Sequence, residues 1–589
     1  MQPETKTCQN CKVEFVIASE DFAFYEKLQV PPPTWCPQCR TVRRMLWRNE
    51  RMLYRNTCGL CKRSIISIYS PQTPYVVYCN ECFHGDGWDP MSYGVDVDFS
   101  RPFLEQFKEL QLKVPRLYSF VVQNANSEYA NGAAYNKNCY LIFVSDHNED
   151  SSYSYGIMHS KNVMDCLSTL DSELCYEAVN CTKCYHVTFS EDCSDCSNVA
   201  FSKNCANCQD CVGCVNLRNK RYHIFNEPYS KEEYAEKIKT LALDTREGIA
   251  ALQEKLAAMA TSHPVKYLHG SRNVSTTGDY IYDSKASTEC YDAEALEDCK
   301  NIVFGFHTKN TQDAYVIVEN SQFSYEAVSA ITVNNVKASF CVWTDFDVAY
   351  SDTCENCNNL FGCIDLKKKQ YCILNKQYSK EEYEALLARI IQHMKDMPYK
   401  NERGVVYGYG EFFPLELSPF AYNETVAQEY FPLTKDDATK RGFSWREPEA
   451  RNYNITLRAN QVPNTASEIQ DSILSEVIGC EHEGKCVHGC SEAFKITESE
   501  LQFYRRMNLP LPALCSNCRH MRRHAMKNPL ALWKRQCACA GDVSANKAYV
   551  NTAKHFHGAA ACSNEFETSY TPNRPEIVYC EQCYNAELA

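Results

Sequence analysis

From residue 121 to 226, and again from 269 to 375, short apolar segments alternate with Asn, Asp, Ser and Cys, and proline is almost absent from the first stretch. Within them NKNCYLIF, SKNVMDCL, VNCTKCYHVTF and SNVAFSKNCANCQDCVGC recur about every 20–24 residues, the range of one coil of a solenoid. The pattern predicts parallel β-solenoid blocks, with small inward residues stacked from coil to coil and Asn side chains laddered at the corners. Each block ends in a near-copy of the other's end. VGCVNLRNKRYHIFNEPYSKEEY (212–234) matches FGCIDLKKKQYCILNKQYSKEEY (361–383) at an offset of 149. Both copies run into a helix, because Ser230 and Ser379 are good N-caps and each has a glutamate three residues on, Glu233 or Glu382, as in a capping box.

A second repeat encloses the first. Residues 11–58 lie over 490–537 at an offset of 479 without a gap. YSPQTPYVVYCNEC (69–82) lies over YTPNRPEIVYCEQC (570–583) at 501, so the C-terminal copy has a net insertion of 22 residues (501 − 479). These repeats divide the chain into an N-terminal module (1–90), a linker (91–120), a first block (121–226), a helical connector (227–268), a second block (269–375), a second helical connector (376–398), an irregular linker (399–475) and a C-terminal module (476–589). The irregular linker is rich in Gly, Pro and aromatic residues and is expected to run over the surface of the blocks it joins. The expected fold is mainly β with short helices: two zinc-ribbon or treble-clef-like modules flanking two parallel β-solenoid blocks, each followed by a helix.

The 36 cysteines decide the chemistry. Many stand in C-x-x-C pairs, which suit metal ligation better than long-range crosslinking, and disulfide density is a device of small secreted domains. No run of about eighteen apolar residues marks a membrane span, and the polar N-terminus lacks the basic-then-apolar pattern of a secretory signal. A cytoplasmic metalloprotein is the expectation. In the N-terminal module Cys8, Cys11, Cys36 and Cys39 form one candidate site, and Cys58, Cys61, Cys79 and Cys82 a second. The second site's pairs are 17 residues apart, within the known C-x2-C-x15–20-C-x2-C pattern. Four thiolates close the tetrahedral sphere of Zn²⁺, the mark of a structural centre. Cys36 and Cys39 open an amphipathic helix, whose amides and dipole favour the thiolate form.

In the C-terminal copy Cys490, Cys515, Cys518, Cys537, Cys580 and Cys583 occupy matching positions. Val487 replaces the equivalent of Cys8, so Cys486, in preference to the more distant Cys480, is expected to supply that ligand. Ala540 replaces the equivalent of Cys61, with Cys539 beside it as the substitute. The insertion adds His555, His557 and Cys562 as further candidate donors. About four zinc ions per chain are expected.

The strings Trp35-Cys36-Pro37-Gln38-Cys39-Arg40 and Trp47-Arg48-Asn49-Glu50-Arg51, the NLRNK and YSKEEY motifs, and FFPLELSPFAYNETVAQEYFPLTKDDA (412–438) resemble a family of cysteine-rich zinc-ribbon proteins of small-genome, candidate-phylum bacteria. The resemblance covers essentially the whole chain and implies a bacterial, cytoplasmic origin without supplying an activity. The modules are also similar to treble-clef and zinc-ribbon domains, which implies nucleic acid or protein as partner.

The net charge of −13 is unevenly placed. Residues 40–55 carry +5 and residues 519–535 carry +6, which leaves −24 on the remainder (−13 − 5 − 6). Arg40, Arg44, Arg48, Arg51 and Arg55 recur at three- and four-residue steps, as one helical stripe with Arg43 beside it and Met45, Leu46 and Leu53 off it. The C-terminal copy offers Arg519, Arg522, Arg523, Lys527, Lys534 and Arg535. A basic helix beside a zinc ribbon suits phosphate contacts, whereas arginines buried on acidic neighbours would mark a stripe docked on the protein's own body.

The leading expectation is an intracellular zinc-stapled scaffold that binds nucleic acid, RNA rather than DNA, through its end modules. The alternative is a protein–protein scaffold that meets an acidic partner. Third comes a carbohydrate-active solenoid enzyme using carboxylates such as Asp165, Asp192 and Asp195. The chain has no P-loop, no G-x-G-x-x-G, no H-E-x-x-H and no G-x-S-x-G, so no catalytic residue and no small-molecule substrate is assigned. The run Cys205, Cys208, Cys211, Cys214, preceded by Cys193 and Cys196, resembles a ferredoxin motif but has the wrong last gap and no following proline. Stacked interior cysteines are the expectation there.

Overall fold

A computed structural model describes residues 2–447 and 452–588. The chain divides into two compact units. One comprises Met1–Tyr118, Leu268–Arg446 and Leu530–Leu532; the other comprises Ser119–Tyr267, Glu447–Pro529 and Trp533–Ala589. Each unit thus joins an end module to the block that lies far from it in sequence: the N-terminal module to the second block, the C-terminal module to the first.

In the first block, residues three apart share one role. Cys139, Ile142, Ser145, Asn148 and Ser151 are buried. The residue after each inward one is extended and pairs in parallel with its counterpart twelve residues on, as in Tyr140↔Ser152, Phe143↔Tyr155, Asp146↔Met158 and Glu149↔Lys161. The third is left-handed: Leu141, Val144, His147 and Asp150 have φ of 51°, 51°, 56° and 50°. Four such triplets make one twelve-residue turn. A left-handed corner costs an L-residue energy, less for Asn and Asp. At these corners Asn126 donates to Asn138 and Asn138 to Asp150, both at 3.0 Å, so the amides form a ladder.

With four inward side chains per turn the interior is narrow, and close packing is reached by small residues. This explains the cysteines. Cys166, Cys175, Cys181, Cys184, Cys193 and Cys196 all lie in the core of the ladder, as do the four of the ferredoxin-like run. The expected spacing of 20–24 residues is corrected to twelve; the motifs had marked every second turn.

The second block is an 11-stranded parallel sheet, from Gly270–Ser271 to Lys376–Gln377, in strict sequence order until an antiparallel last pair. Its register is also twelve along most of its length, as in Lys300↔Gln312 and Tyr325↔Lys337. Between them Gln312 faces Tyr325, thirteen on, because one turn holds an extra residue where Glu319 and Asn320 are both left-handed. Both capping boxes form, opening the helices Lys231–Ile238 and Lys380–Asp396.

The irregular linker departs from expectation. Its aromatic residues enter the core of the first unit: Tyr407, Phe412 and Phe413 are fully buried, and Phe413 stacks on Trp47 at 4.7 Å. The physical reason is its composition, since aromatic side chains bury large areas. Among the described residues no helix is long and apolar enough to cross a membrane.

Candidate metal centres

Each module is built from two copies of one local design. A β-hairpin brings the first cysteine pair to its turn, and a helix start supplies the second. Glu4–Thr7 pairs with Glu14–Ile17, and between them Cys8 and Cys11 sit on a tight turn closed by Lys12 at φ 64°. Cys36 is the N-cap of the helix Pro37–Met45, and Cys39 lies in its first turn. The hairpin Tyr54–Thr57/Ser64–Ser67 presents Cys58 and Cys61 likewise, and Cys79 caps the helix Asn80–His84. Both expected N-terminal quartets come together, with ligand atoms within 4.8 Å of one another.

The spacing of the sulfurs suits a metal ion such as zinc between them. Cys11 lies 3.7 Å from Cys36 and Cys61 3.7 Å from Cys79. Four sulfurs about 2.3 Å from a tetrahedral Zn²⁺ are about 3.8 Å apart, whereas a disulfide would bring two to about 2.05 Å. Backbone amides point at these sulfurs: Cys79 N–H donates to Cys58 Sγ at 3.3 Å. At Cys61 the Arg63 guanidinium donates at 3.4 Å and holds the thiol down at about 6. N–H donors favour thiolate, the form that binds metal. The core cysteines of the first block have the opposite surroundings. Cys205 Sγ faces the carbonyls of Lys203 and Cys214, each at 3.6 Å, and Cys208 faces those of Ala206 and Leu217 at 3.4 and 3.5 Å. Carbonyl acceptors hold an S–H, and burial pushes the Cys166 thiol of the same core up to about 12, whereas hydrogen bonds from adjacent cysteine thiols pull Cys208 down. These are packing residues.

The C-terminal module keeps the design, with quartets that draw on Cys480 and Cys562, two cysteines outside the expected ligand set. Cys480, Cys490, Cys515 and Cys518 form the first quartet, so Cys480 takes the place expected for Cys486. The reason is structural. The first cysteine follows directly on the first hairpin strand, Glu4–Thr7 in one module and Ile478–Gly479 in the other. The turn after it has two residues in the N-terminal copy and nine in the C-terminal copy, so a gap-free alignment misplaces it. In the second quartet Cys562 joins Cys537, Cys580 and Cys583. The 22-residue insertion falls inside this turn, and Cys562 stands at the offset of 501 from Cys61. Cys539 Sγ accepts from Asn551 at 3.2 Å. His555 is buried on Glu587 at 2.9 Å, while His557 Nε2 lies 3.2 Å from Cys583 Sγ.

The arginines do not form the expected exposed stripe. The helix ends at Met45, and Arg55 lies on the strand Tyr54–Thr57. Arg40, Arg43 and Arg44 are buried against carboxylates of their own unit. Arg40 meets Asp313 at 2.9 Å, Arg43 meets Glu326 at 2.7 Å and Glu411 at 2.9 Å, and Arg44 meets Glu326 at 3.0 Å. Arg48 pairs with Glu50 at 2.8 Å and Arg51 with Glu429 at 3.4 Å.

The other unit repeats the arrangement. Arg519 meets Asp165 at 2.8 Å, and Arg523 meets Asp165 at 3.0 Å and Glu177 at 2.9 Å. Arg522, partly exposed, also reaches Glu177 at 2.8 Å. Glu500 completes this cluster, donated to by Tyr153 at 2.9 Å and pushed up to about 7 by burial. Lys534 is exposed, while Lys527 and Arg535 are half-buried.

Asp313 and Glu326 are the counterparts of Asp165 and Glu177, at offsets of 148 (313 − 165) and 149 (326 − 177). The extra residue at Glu319–Asn320 accounts for the difference. All four sit at left-handed corners one turn apart. Asp165, expected as a candidate enzymatic carboxylate, is therefore tied up by arginine. A cavity of about 1210 Å³ in this unit is lined by a mixture of Arg246, Arg458 and Arg522 with Glu481, Glu483 and Glu492 rather than by carboxylates alone.

No family model matches the chain, and no curated protein matches it. The bacterial family resemblance therefore rests on its motifs alone. A solved structure titled "Crystal structure of putative acetyltransferase from Desulfovibrio desulfuricans G20" is similar over 49% of this chain and 86% of its own, at 10% identity and a TM-score of 0.09, too low to carry fold or activity to this chain.

Proposed function

We propose that this protein is a zinc-stapled, non-catalytic scaffold that binds a protein partner, with two β-solenoid blocks each clamped by a treble-clef-like module. The single observation that carries this reading is the use of the basic helices. Their arginines are buried on carboxylates of the same unit, three against three in the first: Arg40, Arg43 and Arg44 with Asp313, Glu326 and Glu411. A guanidinium committed to an internal carboxylate is not offered to a phosphate, so the nucleic-acid role expected from the sequence is not part of the proposal. The closed four-thiol arrangement supports structural rather than catalytic zinc, since a catalytic centre keeps a position open. Free thiols and thiolates in such number suit a reducing compartment, which supports a cytoplasmic setting.

Titrating the full-length protein with labelled single-stranded RNA at low salt tests this. The expected result is no saturable binding, or weak binding unaltered by Arg40→Gln and Arg519→Gln. Micromolar affinity that falls steeply with salt, and falls again in those variants, would restore the nucleic-acid reading.

A further inference from the structure

The nine residues between Cys480 and Cys490 are the largest departure of the C-terminal module from its N-terminal copy at this centre, where two residues suffice. The loop has no helix or strand. Glu481, Glu483, Gly484, Lys485, Val487 and Gly489 are exposed; the three residues that turn partly inward are His482, Cys486 and His488. All three converge on one sulfur. His482 Nδ1 lies 3.3 Å and Cys486 Sγ 3.7 Å from Cys518 Sγ, and the ligand atoms of His482, Cys486, His488 and Cys518 all lie within 4.8 Å of one another. Cys518 also belongs to the neighbouring quartet, 3.9 Å from Cys480 Sγ. His488 Nδ1 is buried with no hydrogen-bond partner, which a loop gains nothing by arranging unless something else meets the nitrogen.

We propose that this loop builds a further metal centre, in which His482, Cys486 and His488 hold a second Zn²⁺ that shares the Cys518 thiolate with the Cys480–Cys490–Cys515–Cys518 centre. The inference rests on the zinc reading of that quartet. Two imidazoles and two thiolates form a closed tetrahedral zinc set. A thiolate sulfur has lone pairs for two metals, and the 3.7 and 3.9 Å separations on either side of Cys518 match one tetrahedral edge in each centre. Charge favours the arrangement as well. One Zn²⁺ with four thiolates carries −2, whereas two Zn²⁺ with five thiolates and two neutral imidazoles carry −1. The loop replaces the apolar packing it lacks with metal bonds, as small metal-folded segments do.

Native mass spectrometry of the full-length protein, purified without added zinc, tests the proposal through the variants Cys486→Ser and His482→Gln. Each is expected to lose one zinc ion relative to the parent chain while the Cys480 centre keeps its own. If Cys486 merely alternates with Cys480 at a single centre, both variants keep the parental count and the inference is wrong while the quartet reading stands. If Cys515→Ser, which touches only the quartet, also leaves the count unchanged, the quartet reading fails and this one with it. Cobalt loading gives an independent check. The Co²⁺ spectrum of the parent minus that of Cys486→Ser should be that of a mixed nitrogen–sulfur site, and a zero difference overturns the proposal.

Discussion

Replacing Cys36 with serine is expected to remove one zinc ion per chain and to unfold the hairpin and helix that meet at its centre. Cys36 is both a member of the quartet and the N-cap of the helix Pro37–Met45, so a single substitution removes a ligand and weakens the element that carries Cys39. Structural zinc contributes about 10–16 kcal/mol of apparent binding free energy in small zinc-folded peptides, and an incomplete site forfeits much of it. Metal analysis after gel filtration, with limited proteolysis of the first 46 residues, reads both effects. Cys205→Ala is the control. It trims a packing thiol, should cost about 1 kcal/mol and should leave the metal content unchanged. Equal zinc in Cys36→Ser and the parent would rule out the Cys8–Cys11–Cys36–Cys39 centre; zinc lost from Cys205→Ala would place a metal in the block's core.

Glu326→Gln is expected to destabilise the first unit by about 3–5 kcal/mol, the range for breaking a buried ion pair by removing one partner. The change keeps the shape and removes the charge, so three buried guanidinium groups face two carboxylates. Arg43 keeps Glu411 and Arg44 keeps Asp313 at 3.3 Å, so the loss is one charge rather than the whole cluster. Urea denaturation followed by tryptophan fluorescence suits this region, because Trp35 and Trp47 are both buried there and Trp35 lies 4.5 Å from the Arg43 guanidinium. A loss below about 1 kcal/mol, the value of an exposed pair, would show that the docking of helix on block is energetically idle.

How much of this was legible in sequence depended on whether the signal was local. The N-terminal quartets were, since each pair stands in a C-x-x-C with the turn or helix start that presents it. Cys480 was not, because a nine-residue turn hides the match and what places Cys480 is a short strand pair, Ile478–Gly479 with Ala493–Phe494. Cys562 was legible in principle, at the offset of 501 already set by the downstream match, but the insertion was assigned outside the turn. The three-residue rhythm of inward Cys, Ser, Ala and Val was present throughout the first block; motif spacing masked it by recurring at two turns. The destination of the arginines was not legible. Asp165 and Glu177 mean little as acids twelve residues apart until the turn is known to be twelve, and their partners lie more than 340 residues away.

The most direct test of the account is an X-ray absorption spectrum at the zinc edge, taken on the full-length protein purified without added metal. The expected spectrum is a zinc signal whose first shell is mainly sulfur at about 2.3 Å, with a minor nitrogen component at about 2.0–2.1 Å from the shared centre. An oxygen-dominated shell, or a protein that holds no zinc and carries its terminal cysteines as disulfides, would contradict it.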